Sequence, residues 1–163
     1  MSITPYCVVV LVTQKAIEAM LESSGQGTYK DTHPWIVAEQ LFAQATVVQS
    51  KMAIIFASVK AGDSAAFSHW SFIEKIDLLS LTSNRWESRC DFGALREVNP
   101  IWQDIDSLAH IVSEQQLSRE QLEGIRTLRL PLQENHIHPY AICETPMFIL
   151  TEQSIADDNT LKN

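Results

Sequence analysis

The sequence predicts an α+β fold: a single mixed sheet curled into an open barrel, with helices packed outside it. Three observations predict it. Residues 6–12 form a continuous apolar run typical of a strand buried on both faces. Apolar residues then recur at helical spacing through 14–23 and again after Pro34. From residue 52 onward, short apolar runs alternate with turn signals, as in neighbouring antiparallel strands.

The first third of the chain is predicted to hold one strand and two helices. Thr13 follows the apolar run and is a suitable N-cap for the helix at 14–23, which Gly25 is placed to end. The polar stretch 25–32 is expected to be a loop. Pro34 is favoured in the first turn of a helix, so a second helix is predicted to begin there.

The middle of the chain is predicted to form antiparallel strands separated by turns. The apolar pair Phe72–Ile73 breaks the alternation of its strand, which indicates a bulge or bend. The polar stretch 80–87 is expected to be a loop that holds Arg85 and Trp86. The three strands are expected at 52–59, 66–79 and 90–98.

The last third is predicted to add a short helix and further strands. Ser118 and Gln121 form a capping box, which predicts a helix from Ser118 that Gly124 ends within about two turns. The strands are expected at 108–112, 127–132 and within 137–150. With 163 residues, the chain is expected to form one domain at 1–150, followed by a polar tail at 151–163.

Composition excludes several classes of function. Twenty acidic against 12 basic residues give a net charge of −8, which disfavours strong nonspecific binding to a polyanion. The three cysteines are too few and too scattered for a disulfide framework, so a cytoplasmic protein is expected. With only five glycines and no phosphate-binding motif, a nucleotide-hydrolysing or dinucleotide-dependent enzyme is disfavoured, and no cofactor is predicted.

Several segments between residues 5 and 150 resemble the PUA-like superfamily, which includes the EVE, YTH and ASCH domains. The strand at 7–13 ends in a polar helix start, and the paired runs 53–58 and 67–76 are similar to the central hairpin of these domains. A tryptophan-led segment at 85–92 continues to Asn99–Pro100, which resembles a YTH segment.

The resemblance implies a small binding module that holds a modified base of a nucleic acid in an aromatic pocket. Base stacking contributes about 1–3 kcal/mol per base, and hydrogen bonds read the base edge. The candidate residues are Trp35 and Trp86 for stacking, Ser58, Asn84 and Asp91 for the base edge, and Arg85, Arg89 and Arg96 for phosphates. The competing interpretation is that the tryptophans belong to the core and the arginines to a solvated face, as Trp70 and Trp102 are expected to be core residues.

Two other functions remain open. The first is an acidic protein-interaction subunit or homodimer that binds no small ligand. The second follows from the ASCH branch, whose resemblance implies an amidohydrolase for acylated nucleosides built on Thr28, Lys30 and Glu74. The order of Thr28 and Lys30 departs from the lysine-before-threonine pattern of that family.

The histidines have two interpretations. His136 and His138 would point to one face of a strand, as two metal ligands often do, with Glu134 or Cys143 as a third ligand. Surface or turn histidines are the competing and more common account. His33 and His69 stand beside tryptophans, either as base-edge donors or as ordinary half-buried residues.

Overall fold

A computed structural model describes residues 2–22, 27–59, 65–99, 103–111, 113–126 and 128–152. It contains strands and helices in mixed order, which confirms the α+β class. The strands are β1 (Tyr6–Thr13), β2 (Gly27–Asp31), β3 (Ala53–Val59), β4 (Ala66–Thr82), β5 (Arg85–Phe92), β6 (Arg96–Glu97), β7 (Ala109–His110), β8 (Leu130–Pro131) and β9 (Ala141–Glu144). The α-helices with described bounds are α1 (Gln14–Glu22), α2 (Ile36–Val47) and α3 (Glu114–Glu123), and residues 147–152 are helical as well. Residues 153–163 of the expected tail lie outside the described residues.

The described strands form one nine-stranded mixed sheet in the order β2-β5-β4-β3-β1-β9-β7-β8, with β6 paired to β4 at the side. β1 and β3 are parallel, and the remaining neighbours are antiparallel. The first and last strands in this order do not pair with each other. The single mixed sheet is therefore confirmed, and the sheet is not closed.

Alternate residues of the central strands supply two cores, one on each face of the sheet. Val8 and Val10 of β1 pack with Ile17 of α1 and Leu41 of α2, so the helices cover this face. Val9 points to the opposite face, which the loops and the C-terminal part of the chain cover. Burial of β1 and β3 on both faces explains why their sequences are continuous apolar runs.

The hairpin of β4 and β5 is longer than the sequence indicates. β4 continues to Thr82, and β5 begins at Arg85, so the predicted loop at 80–87 is wrong. Trp86 pairs with Ser80, and this pairing continues the ladder through polar sequence. We call residues 78–87 the hairpin arm, because β2 pairs with β5 only from Ser88 onward.

Three other boundaries differ from prediction. The expected loop at 25–32 contains β2, whose residues alternate between half-buried and exposed positions. The expected strand at 90–98 is interrupted, because β5 ends at Phe92 before the short β6. Helix α3 begins at Glu114, since Ser113, and not Ser118, accepts the capping hydrogen bond from the Gln116 backbone at 3.1 Å.

Other predicted boundaries are met. Gly124 ends α3 as predicted, with φ at +69°, a value that favours glycine. α1 spans Gln14–Glu22, as its spacing predicts. Among the described residues, no helix has the length and apolar content that a bilayer-spanning segment needs.

Candidate ligand-binding cavity

A cavity of about 530 Å³ lies between the N-terminal ends of α2 and α3. Ile111 and Ile142 form part of its wall from the sheet side, where the Ile111 backbone donates to the Ile142 carbonyl at 3.0 Å. Val37 of α2 and Leu117 of α3 contribute apolar surface from the helices. Its volume falls in the range of ordinary small-molecule sites, about 300–1,000 Å³.

Four of the five histidines in the chain line this cavity. They come from three separate segments: His33 before α2, His110 in β7, and His136 and His138 before β9. We call it the histidine cavity. The fifth histidine, His69, lies on β4 and does not line it.

His110 is the most buried of the four, with 7% of its surface exposed. Its ring stacks on that of His136, with centroids 5.1 Å apart and planes 27° apart. Burial, and then the nearby His136, lower the pKa of His110, so its ring is neutral at pH 7. Its buried Nδ1 has no hydrogen-bond partner among the described residues.

An aromatic layer supports the side of the cavity that Tyr140 lines. Trp35 lies directly behind Tyr140, with ring centroids 4.9 Å apart, and Tyr29 contacts Trp35 at 5.6 Å. The Tyr140 hydroxyl accepts a hydrogen bond from the backbone N–H of Ala38 at 3.3 Å. Tyr140 is therefore held both by ring contacts and by the first turn of α2.

The α3 side of the cavity is fixed by buried charge. Arg129, whose side chain is 8% exposed, donates to both carboxylate oxygens of Glu120 on α3 at 2.7 and 2.5 Å. It also donates to Glu144 at the end of β9, at 2.8 Å. This bidentate arrangement ties α3 to the sheet, so the cavity does not depend on a loosely packed helix.

The polar lining is rich in hydrogen-bonding groups and poor in fixed charge. Asn135 and Ser113 line the cavity together with the histidines. Among its described lining residues there is no lysine or arginine, and Glu114 is the one carboxylate. The lining therefore suits an uncharged polar ligand better than a phosphate.

The two tryptophans expected to stack a base do not face each other across an open slot. Trp35 has 0% of its surface exposed and belongs to the core, so neither face of its indole is open to a ligand. Trp86 is 37% exposed on the hairpin arm and does not line the cavity. Trp35 still bears on the site, because it supports Tyr140 from behind.

The three residues expected to read a base edge lie apart. Ser58 is buried near the end of β3, with its hydroxyl 3.4 Å from Gln14 Oε1. Asn84 is exposed in the turn of the hairpin arm. Asp91 accepts a hydrogen bond from Thr28 at 2.7 Å. None of the three lines the histidine cavity.

The three candidate phosphate-binding arginines also lie outside the cavity. Arg85 is exposed at the start of β5, and Arg89 pairs with Glu87 at 3.0 Å. Arg96 pairs with Glu152 at 2.5 Å, and its guanidinium lies 5.1 Å from the Trp70 ring centre. These positions match the solvated face that the sequence left open as the competing account.

The residues of the hydrolase alternative occupy exposed strand positions. Thr28 and Lys30 lie on β2, and Glu74 lies on β4 beside a register shift. None of them lines the histidine cavity.

The metal-site interpretation of the histidine pair receives no support from the described residues, among which no group of three or more His, Cys, Asp or Glu side chains is placed to hold a metal ion. Cys143 is buried, and so is Cys7, as expected of small apolar residues. Trp70 is 2% exposed and belongs to the core, as predicted. Trp102 lies outside the described residues.

Sequence reasoning missed His110 and Tyr140 as cavity residues. His110 lies within a predicted strand, and Tyr140 follows Pro139 in a segment read as interrupted strand. The sequence feature that could have indicated this site is the number of histidines near the ends of predicted helices and strands. Their convergence depends on β7 pairing with β9, a long-range contact that no local pattern indicates.

Comparison with known proteins adds no family to this geometry: no protein-family model matches the chain, and no curated protein matches it.

Proposed function

We propose that the protein is a small binding module whose histidine cavity receives one uncharged, planar heterocycle of nucleobase size. The observation that carries the proposal is His110, which lies 7% exposed against the cavity with an unpartnered Nδ1. A buried polar atom without a partner costs about 1–3 kcal/mol, and a ligand that turns the His110 ring so that Nδ1 can form a hydrogen bond with it recovers this free energy.

A planar ligand suits the shape and chemistry of the lining. His136 is exposed and already stacks with His110, so its ring is available to a second flat group. Tyr140 adds a phenol ring, and Asn135 adds an amide that both donates and accepts hydrogen bonds. Aromatic contact plus a few placed polar groups is the usual composition of a nucleobase pocket.

The distribution of charge supports an uncharged ligand. Lysine and arginine are absent from the described lining, and Glu114 repels anions. The lowered pKa of His110, caused first by burial, also keeps that ring from supplying positive charge at pH 7. A nucleobase or nucleoside, free or exposed within a nucleic acid, fits these properties.

The proposal includes the PUA-like fold and the modified base that the resemblance implies. The order of strands and helices, and the helices on one face of the sheet, support an open PUA-like barrel. Three buried cysteines without disulfides support a cytoplasmic location.

Isothermal titration calorimetry with uridine, inosine, adenosine and their base-methylated forms tests the proposal. We expect at least one of these nucleosides to bind. His136→Ala should weaken its binding about 5- to 150-fold, the equivalent of about 1–3 kcal/mol of lost stacking. Because His136 is exposed, the variant is expected to keep its fold.

His69→Ala is the matched control, since it removes the one histidine outside the cavity. We expect it to bind the nucleoside as the wild type does. Absence of binding for every nucleoside, or an equal loss in both variants, would contradict the proposed function.

An interaction subunit is the second candidate, favoured by a different observation. Leu79, Leu81 and Trp86 on the hairpin arm are 38%, 61% and 37% exposed. Exposed apolar side chains near the end of a hairpin favour contact with another protein, and a second copy of the chain is the simplest partner. Self-association in sedimentation velocity that Leu81→Lys abolishes would support this function.

A further inference from the structure

Asp31 at the end of β2 holds one of the two ring nitrogens of His33, a residue that lines the histidine cavity. Nδ1 of His33 lies 2.9 Å from Asp31 Oδ1. The backbone N–H of His33 donates to the same oxygen at 3.3 Å, and Nε1–H of Trp35 donates to Asp31 Oδ2 at 2.9 Å. Asp31 therefore interacts with three neighbouring nitrogens through its two oxygens.

Asp31 is ionised at neutral pH. Burial alone raises its pKa, but hydrogen bonds from Trp35 and His33 outweigh burial and hold the pKa below its ordinary value. An ionised carboxylate only accepts hydrogen bonds, so the proton of a neutral His33 ring must lie on Nδ1. Nε2 then carries a lone pair and is a hydrogen-bond acceptor.

The backbone around His33 is anchored as well. The Ser88 hydroxyl of β5 donates to the His33 carbonyl at 2.5 Å and accepts from the Trp35 backbone N–H at 3.0 Å. Trp35 in turn supports Tyr140. Asp31 and Ser88 thus set the position of His33 and of the ring behind Tyr140 before any ligand binds.

We propose, resting on the proposed function, that the histidine cavity selects lactam or imide heterocycles, whose ring N–H donates to Nε2 of His33. Such a ring carries a carbonyl beside the N–H. The side-chain amide of Asn135, which also lines the cavity, supplies a donor of the kind that this carbonyl requires. Uracil and hypoxanthine have this N–H and carbonyl pair, whereas adenine lacks it.

Asp31 acts through His33, so it is a positioning residue. In Asp31→Asn the amide can donate to Nδ1, which moves the ring proton to Nε2 and converts the acceptor into a donor. The exposed side chain of Asp77 on β4 pairs with Lys75 away from the cavity, at 3.4 Å, so Asp77→Asn is the matched control.

The test compares uridine with 3-methyluridine and inosine with 1-methylinosine by calorimetry at about pH 8, where imidazoles are ordinarily neutral. Methylation removes the ring N–H in each pair. We expect it to weaken binding by about tenfold or more, because it leaves Nε2 facing a methyl group. The preference for the unmethylated nucleoside should disappear in Asp31→Asn and persist in Asp77→Asn.

Nitrogen-15 NMR of the histidine rings keeps the test independent of variant stability. In the wild-type protein, His33 should show the proton on Nδ1 with or without a nucleoside. A proton on Nε2 would overturn the proposal.

Equal binding of both members of each pair, or binding of adenosine alone, would also overturn it while leaving the proposed function intact. Failure of every nucleoside to bind would overturn both.

Discussion

The histidine cavity and the hairpin arm differ in how their aromatic side chains are supported. Around the cavity, Tyr140 is backed by Trp35, and His110 stacks on His136. On the arm, Trp86 lies on a two-stranded ladder and is 37% exposed. The rings of the cavity are positioned before a ligand arrives, whereas Trp86 has the exposure of a contact residue.

This difference shows why polar neighbours in the sequence are a poor guide to whether a tryptophan binds a ligand. Trp35 and Trp86 both stand among polar residues. Only the fold separates them, because Tyr29 of the preceding strand β2 and Tyr140, which is distant in the sequence, both cover Trp35. A tryptophan that cannot touch a ligand still shapes a cavity by holding the ring that does.

The largest effect is expected from Trp35→Ala. Trp35 is 0% exposed and contacts two other rings, so its loss should reduce the free energy of unfolding by about 3–5 kcal/mol. Urea unfolding followed by circular dichroism measures this. A loss below about 1 kcal/mol would contradict the assignment of Trp35 to the core and would return it to the candidates for ligand contact.

A smaller effect is expected from the titration of His110. Its pKa is lower in the folded protein than the ordinary value of 6.5, first because of burial. The unfolded chain therefore takes up a proton near pH 6.5 that the folded protein does not. Above pH 6.5 the His110 ring is neutral in both states and does not lower the free energy of unfolding. As the pH falls below 6.5, proton uptake by the unfolded chain lowers the free energy of unfolding by at most about 1.4 kcal/mol per pH unit.

Unfolding at pH 5.5 and 7.5 in wild type and His110→Gln isolates this contribution. The variant should lose less stability than the wild type on acidification. His69, whose pKa burial also lowers, contributes in the same direction to both proteins and cancels in the comparison. Equal losses in the two proteins would show that His110 is not held neutral by the fold.

The smallest effect is expected from Trp86→Ala. The indole is partly exposed, so the free energy of unfolding should change by less than about 1 kcal/mol. Nucleoside binding should stay within about twofold of wild type, because Trp86 does not line the cavity. A large loss of nucleoside binding would instead place the ligand on the hairpin arm.

Local sequence patterns predicted correctly those helices and strands for which only one pattern fits the segment. The β-branched run of β1 and the spacing of α1 each point to one structure. At α3, however, two capping boxes compete as the helix start, since Ser113 and Gln116 fit the pattern as well as Ser118 and Gln121 do. The earlier helix start places Leu117 in the core, and this tertiary burial favours Ser113 as the cap.

The cavity was harder to predict, because it depends on pairing between distant segments. His110 reaches the site through β7 and its bridge to Cys143 of β9, while His33 reaches it through the contacts of Asp31 and Ser88. Cross-strand pairs also explain the hairpin arm, where Glu87 pairs with Leu79 in a stretch too polar to read as strand. Neither arrangement leaves a periodic signal in the sequence.

The most direct test of the account is a histidine side-chain NMR titration with uridine and inosine. The account predicts that the ring signals of His33, His110, His136 and His138 shift with one affinity, while that of His69 stays in place. Shifts confined to the Trp86 indole, or no histidine shift at saturating nucleoside, would contradict it.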